Sequence, residues 1–256
     1  MASRSERSMS FGAIANDYDR LRPGPPPAAV DWLLPARHDV VVDLAAGTGL
    51  LTRALVGRAE RVIAVEPDDR MRAVLAARSP EVEVLAGRGE AIPLPDGAVD
   101  AVLISSAWHW MDPELAVPEI ARVLRDGGRF GVIWTGRDAT PWLHVDEWFR
   151  GPDQEPQTRN GADGAGPRRG GRHVMLPDPS VFTDVETATL RFTRRMTVPD
   201  LVDWLTTYSR VITASEQVKA AGRVRAAAAL AEEFPGAAQI DVPMLSLCWR
   251  ADRAPR

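Results

Sequence analysis

Cysteine is almost missing from this chain. Cys248 is the single one in 256 residues, so an internal disulfide is excluded and a reducing cytoplasm is the expected compartment. Lysine is as scarce, because Lys219 stands alone among 31 basic residues. A P-loop needs a lysine directly after its glycines, and none follows the glycines found here. No apolar run approaches the roughly 20 residues that span a bilayer. The arginine-bearing N-terminus lacks the apolar stretch of a signal peptide. His38, His144 and His173 show no ligand spacing with one another or with Cys248, so no metal is expected. An excess of positive charge is also lacking, since 35 acids against 31 bases leave a net charge of -4, which argues against a nucleic-acid surface. These absences leave a soluble protein expected to bind neither nucleic acid nor membrane; a small-molecule partner and a monomeric or homodimeric state are separate expectations.

What is present centres on Val40-Val41-Val42-Asp43-Leu44-Ala45-Ala46-Gly47-Thr48-Gly49. An apolar run too short for a helix leads into two glycines, and Leu50 to Val56 then repeats at helical spacing, which reads as strand, tight turn and helix. Glycine permits left-handed backbone and close approach of a ligand, so Gly47 and Gly49 point to a ligand lying over the turn and facing the helix's first amides. Arg61 to Glu66 reads as a second strand ending in an acid, at the distance where an acidic side chain meets a ribose. The third glycine of a dinucleotide fingerprint would fall at Thr52, which weakens an NAD reading. The expected ligand is a nucleoside without a pyrophosphate.

Asp68-Asp69 can cap a helix through Met71, and Asp112-Pro113-Glu114 starts another with a cap, a proline and an acid. That helix is expected to end near Arg125, with Gly127-Gly128 releasing it into the strand Phe130–Trp134. Ala98 to Ser105 is apolar enough for a central parallel strand. Strands are expected over 185–192 and 242–249, and helices over 200–208 and 215–234. The alternation implies a parallel sheet with helices on both faces. At the carboxyl end of the fourth strand, Ser105-Ser106-Ala107-Trp108-His109-Trp110 sets aromatic rings around a histidine, a composition suited to a pocket wall.

The order of these motifs resembles the class I S-adenosylmethionine-dependent methyltransferases, of the methyltransferase type 11 kind, from about Phe11 to the C-terminus. Asp43 to Gly49 resembles that family's first motif, with Ala45 in place of its first glycine. Glu66 matches the ribose-binding acid, 89–95 the segment beside the adenine, and 124–130 the turn into the fifth strand. The resemblance implies a Rossmann-like, seven-stranded, mostly parallel sheet with helices on both faces, an antiparallel last strand and a helical cover. One domain over 1–256 follows, with an N-terminal cap segment (1–37), a cofactor-binding core (38–136), a flexible loop (151–180) and a helical substrate cover (197–235).

It further implies S-adenosyl-L-methionine as cofactor, S-adenosyl-L-homocysteine as product, and no metal. The implied cofactor residues are Tyr18, Arg22, Asp43, Ala45, Gly47, Thr48, Gly49, Glu66, Pro67, Met71, Gly89, Glu90, Ala91, Ser105 and Ser106. His109 is the catalytic candidate, as a base for a hydroxyl acceptor or a donor to a carboxylate, or else it only packs between the tryptophans. Trp108, Trp110, Trp204 and Tyr208 are the substrate-binding candidates. A weaker likeness to the trans-aconitate-type branch suggests a small acid as acceptor. Oxygen is the favoured methyl acceptor. The same fold also serves N- and C-methyltransferases of natural products, and proteins that bind the cofactor without transferring its methyl.

Overall fold

The computed structural model describes Gly12, residues 14–151 and residues 174–255; of the loop expected over 151–180, residues 152–173 lie outside them. Helices α1 (Ala15–Leu21) and α2 (Pro27–Leu33) precede β1 (Val40–Leu44), α3 (Leu50–Leu55), β2 (Arg61–Glu66), α4 (Asp69–Arg78), β3 (Glu83–Ala86) and β4 (Val99–Ser105). A 3-10 turn, Trp108–Trp110, leads to α5 (Pro113–Val123), β5 (Leu124–Arg137), α6 (Val145–Trp148) and β6 (Phe182–Met196). The chain closes with α7 (Val198–Thr206), α8 (Ser209–Ile212), α9 (Glu216–Glu233) and β7 (Ile240–Arg253). The seven strands run in the order β3-β2-β1-β4-β5-β7-β6, mostly parallel with one antiparallel strand. Val42 lies opposite Ile63 on one side and Val102 on the other, which fixes β1 as a central strand.

Two compact units divide the described residues. Of these, the first takes residues 23–135, 174–190 and 246–255, and the second takes 12, 14–22, 136–151 and 191–245. In the first unit, alternation along the strands builds two apolar layers. Val42, Leu44, Val102 and Ile104 join Ala116, Val117 and Ile120 of α5 in one cluster. The intervening Val41, Ala101 and Leu103 join Val30 and Leu33 of α2 and Leu51 and Leu55 of α3 in another. Because successive strand residues point to opposite faces, this sharing puts helices on both faces of the sheet.

The second unit has its own core, in which Trp204, Leu201 and Leu205 of α7 pack with Trp148, Phe149 and Leu230.

The caps are where local chemistry demands them. Asp68 accepts from the Arg70 amide at the start of α4, and Asp112 from the Glu114 amide at the start of α5. Thr197 and Ser215 do the same for α7 and α9.

Three expected boundaries move. Helix α5 stops at Val123 rather than near Arg125, and β5 begins at once, with a register shift between Val99 and Ala101 on its β4 partner and φ +72° at Gly127. The two glycines therefore form a bulge inside a strand, not a turn before one. Strands β6 and β7 extend well past 185–192 and 242–249, because much of β6 is exposed and carries no continuous apolar signal.

Gly222 inside α9 lies against Phe149: a Cβ there would come within 2.3 Å of the Phe149 ring. Alanine would gain about 1 kcal/mol of helix propensity. Overpacking a buried ring costs about 1–3 kcal/mol, so the clash outweighs it. Gly222→Ala is expected to lower unfolding stability in urea, and adding Phe149→Leu to recover part of the loss. A stabilised single variant would contradict this packing.

Candidate functional site

After Leu44 the chain must turn from β1 into α3, and it does so through left-handed backbone. Ala45, Gly47 and Gly49 have φ of +56°, +58° and +87°. An L-residue in that region carries about 1–2 kcal/mol of strain, which Ala45 accepts where a glycine would not. The two glycines do different things. A Cβ on Gly49 would meet Leu75 of α4 at 2.9 Å, so this position is closed by packing. A Cβ on Gly47 would meet nothing within 4 Å, so the space above this amide is open.

Glu66, at the end of β2, fixes that opening. Its Oε2 accepts the Gly47 N–H at 2.8 Å and its Oε1 accepts the Asp68 N–H at 2.9 Å. Burial raises its pKa, and the two amides oppose the shift. A carboxylate offers about four lone-pair sites, so each oxygen keeps capacity for a ligand hydroxyl.

Asp43 lies beneath the turn, fully buried. Its Oδ2 accepts the Thr52 hydroxyl at 2.6 Å, whereas Oδ1 is a buried atom with no partner among the described residues. Burial pushes its pKa up to about 7, against the Thr52 hydrogen bond. Thr52 thus has a positive reason to stand where a dinucleotide fingerprint has glycine, one its side-chain type alone did not announce. Thr48 is likewise buried, and its hydroxyl has no partner among the described residues.

Met71 is 5% exposed yet lies outside the three apolar clusters, on the helix that follows Glu66. Pro67 is exposed, and its carbonyl accepts from Arg72 at 2.8 Å. Gly89 packs so closely on Met111 that a Cβ would lie 2.5 Å from its sulfur. Glu90 accepts the Asp112 amide at 3.0 Å, which pins the 89–91 segment, with its exposed Ala91, to the start of α5. Ser105 and Ser106 are half-buried at the carboxyl end of β4, and Ser106 adopts φ +57° while donating its N–H to the Ile133 carbonyl at 2.7 Å.

The aromatic turn divides its residues. Trp108 is 3% exposed and belongs to the core, 5.4 Å from the Phe130 ring. His109 is exposed, and its ring stands 4.5 Å from that of the half-buried Trp110. Periodicity could not tell these three apart, because a 3-10 turn rotates each successive side chain by about 120°.

In the second unit, Arg22 places its guanidinium 5.3 Å from the Tyr18 ring and 4.9 Å from the Tyr208 ring, and donates to the Thr207 carbonyl at 2.7 Å. Tyr208 lies 5.7 Å from Trp204, which is completely buried. Arg22 and Tyr208, expected in separate roles, share one cluster. Arg194, not singled out by the sequence, reaches the same helix end by donating to the Leu21 carbonyl at 2.9 Å. No group of His, Cys, Asp and Glu among the described residues could hold a metal ion, and no described helix is long and apolar enough to cross a membrane.

A cleft of about 360 Å³ at the opposite, amino-terminal strand ends is lined by Arg37, Asp100 and Arg125 to Gly128. Its central charges are already joined, Arg125 to Asp100 and Asp100 to the Val40 amide, so it serves the fold.

The Asp43 proton gives a stability signature. Its carboxyl titrates near 3.8 when unfolded and about 7 when folded. Between those values the folded state holds the proton and the unfolded state does not, so stability falls as pH rises, by about 1.4 kcal/mol per unit from this group. Below the unfolded value and above the folded one the contribution is flat. Urea unfolding at pH 5, 6, 7 and 8 should therefore show the stability of wild type relative to Asp43→Asn declining up to about pH 7 and then levelling. A constant difference would remove the buried-acid assignment.

Comparison with known proteins agrees with this arrangement. The model of a family described as a methyltransferase domain matches residues 42–132, from within β1 into β5. An uncharacterized methyltransferase of Mycobacterium tuberculosis is 40% identical over 98% of this chain and 99% of its own. A solved structure from Anaeromyxobacter dehalogenans, described as a candidate type II methyltransferase, is 27% identical with a TM-score of 0.68, covering 92% of this chain and 99% of that one. A Haemonchus contortus phosphoethanolamine N-methyltransferase solved with S-adenosylhomocysteine, 13% identical with a TM-score of 0.54, shares the fold over 100% of this chain and 61% of its own. With its glycine turn, its strand-end acid and a relative matched along nearly its whole length, the chain belongs to the class I S-adenosylmethionine-dependent methyltransferase family.

Proposed function

We propose that the protein transfers the methyl group of S-adenosylmethionine to an oxygen of a small molecule. The observation that carries this reading is the open space over Gly47 beside the anchored carboxylate of Glu66. The donor set fits the cofactor: an acid with spare acceptor capacity for ribose hydroxyls, a side-chain-free amide beside it, and a buried methionine on the following helix as an apolar wall. Glu66 would take the ribose, Met71 and the 89–91 segment the adenine, and Gly47 with Thr48 and Gly49 the methionine part. When bound, the cofactor supplies an electrophilic methyl carried on a sulfonium.

What remains for the chain is to align an acceptor oxygen with that carbon and exclude water, which is where most of the rate of such a transfer arises. Ser105, Ser106 and Trp110 stand at the strand end where open α/β sheets place their ligands. A hydroxyl acceptor must also lose a proton as its oxygen attacks. His109 offers an imidazole on this turn, and an unperturbed imidazole has the right basicity near neutral pH. A carboxylate acceptor needs no such base.

Calorimetric titration with S-adenosylhomocysteine tests the cofactor site. Glu66→Ala is expected to lose about 1.5–3 kcal/mol, roughly ten- to a hundredfold in affinity, through charge-assisted hydrogen bonds to the ribose. Gly47→Val should fold, since no protein atom opposes its Cβ and the cost is the strain of a left-handed residue. It should nonetheless bind no cofactor. Normal binding by both variants would move the site elsewhere.

Incubation with methyl-labelled cofactor and a metabolite extract should yield an acceptor heavier by one methyl. For a hydroxyl acceptor so identified, His109→Ala and His109→Gln should both lower single-turnover rates by about 10²–10⁴ and flatten the rise of rate through the imidazole titration. Full activity in both variants would leave His109 outside the chemistry.

A further inference from the structure

We infer that Asp43 separates the methyl donor from its demethylated product by charge, the ionised carboxylate holding the cationic donor more tightly and the neutral acid treating the two alike. The inference deepens the methyl-transfer reading of the glycine turn and rests on it. The two ligands differ by one charge, because S-adenosylmethionine carries a sulfonium where S-adenosylhomocysteine carries a neutral thioether.

Two acids flank the turn, and the fold treats them differently. Glu66 has a backbone amide on each oxygen, so its charge is already answered by the protein. Asp43 is completely buried near the end of β1, where the Thr52 hydroxyl engages its Oδ2 at 2.6 Å. Its Oδ1 is buried with no partner among the described residues, and Thr48 within the turn holds a second such oxygen. Across the sheet, the residues opposite Asp43 are Ala64 of β2 and Leu103 of β4, and neither can answer a charge. Two ionisable groups act on it: Glu66 opposes its ionisation, and Arg53 of α3, which donates to the Thr48 carbonyl at 2.8 Å, favours it.

A carboxyl in this setting stands near the balance point between its two forms. Burial, the largest influence, pushes its pKa up to about 7. The space over Gly47 gives the cofactor's methionine part room above a turn that starts at this acid. A net positive charge arriving there drives Asp43 to its ionised form and sends the proton to solvent, since charges in a poorly screened interior act on one another over several ångströms. An uncharged sulfur has no such effect.

The test titrates the full chain calorimetrically with S-adenosylmethionine and with S-adenosylhomocysteine, each in two buffers of different ionisation enthalpy, so that released protons are counted. At pH 6.5 wild type should release about half a proton more with the donor than with the product. The ratio of the two Kd values should shift in the donor's favour by at least about fivefold from pH 5.5 to pH 7.5, a window below the range where an α-amino group titrates. Asp43→Asn should bind both ligands with a flat ratio. Thr52→Val, which removes the hydroxyl that favours the ionised form, should move the midpoint of the rise to higher pH. Equal proton release with the two ligands in wild type would overturn the proposal whether or not any variant folds. So would an Asp43→Asn protein with native near-ultraviolet dichroism whose ratio still rose, because the titration would then belong to another group, Glu66 first. Binding of both ligands by wild type with a flat ratio would remove this proposal alone, whereas binding of neither would remove the methyl-transfer reading with it.

Discussion

The carboxylate of Glu66 holds the site in shape before any ligand arrives. It joins two backbone amides, Gly47 in the glycine turn and Asp68 at the start of α4, across the end of β2. An amide of the turn is thereby satisfied without a ligand, and the segment can stay ordered although its apolar packing on this side is open at Gly47. The fold alone needs an acceptor on both oxygens at this position, because each takes one backbone amide. A glutamine could keep one of the two amide bonds but would turn a donor toward the other N–H.

Cost is concentrated around the same turn. Ala45 and Ser106, at the carboxyl ends of β1 and β4, are non-glycine residues with left-handed backbone. Asp43 and Thr48 hold buried oxygens without partners among the described residues. Each such feature is worth about 1–3 kcal/mol against folding. The compensation lies in the strands that lead into them, since β1 and β4 are mostly apolar and bury almost every side chain on both faces. A rigid, over-determined sheet edge can carry strain that a loop could not, and such an edge presents its ligand-facing groups in one geometry.

Much of this was legible in the sequence because it is local. Val40–Leu44 and Arg61–Glu66 appear as strands with the boundaries their apolar runs suggested, and Asp68 and Asp112 cap the helices they precede. The bulge at Gly127 was not legible, since paired glycines serve a turn and a bulge equally well. The extent of β6 was hidden because an exposed strand alternates weakly. Trp108, His109 and Trp110 gave one signal as a group, but three consecutive residues of a 3-10 turn have three environments: core, solvent and the boundary between them. Composition says that aromatics gather there and leaves their directions to the backbone.

The contacts that gather Arg22, Tyr208 and Arg194 were beyond sequence reasoning for a different reason. Arg22 reaches Thr207 across 185 positions and Arg194 reaches Leu21 across 173. No periodicity links residues so far apart, and an arginine-rich chain gives no composition signal for any one of them. The turn that would hold the cofactor, by contrast, is written in a run from Asp43 to Gly49 and one acid 19 positions beyond Gly47. A site made by neighbours in sequence can be reused with many acceptors, whereas one assembled from both ends of the chain can change by altering a single distant side chain. The physical consequence is that the glycine turn and its acid are readable from a short motif, whereas the cluster of cations and rings in the second unit is visible only in the folded chain.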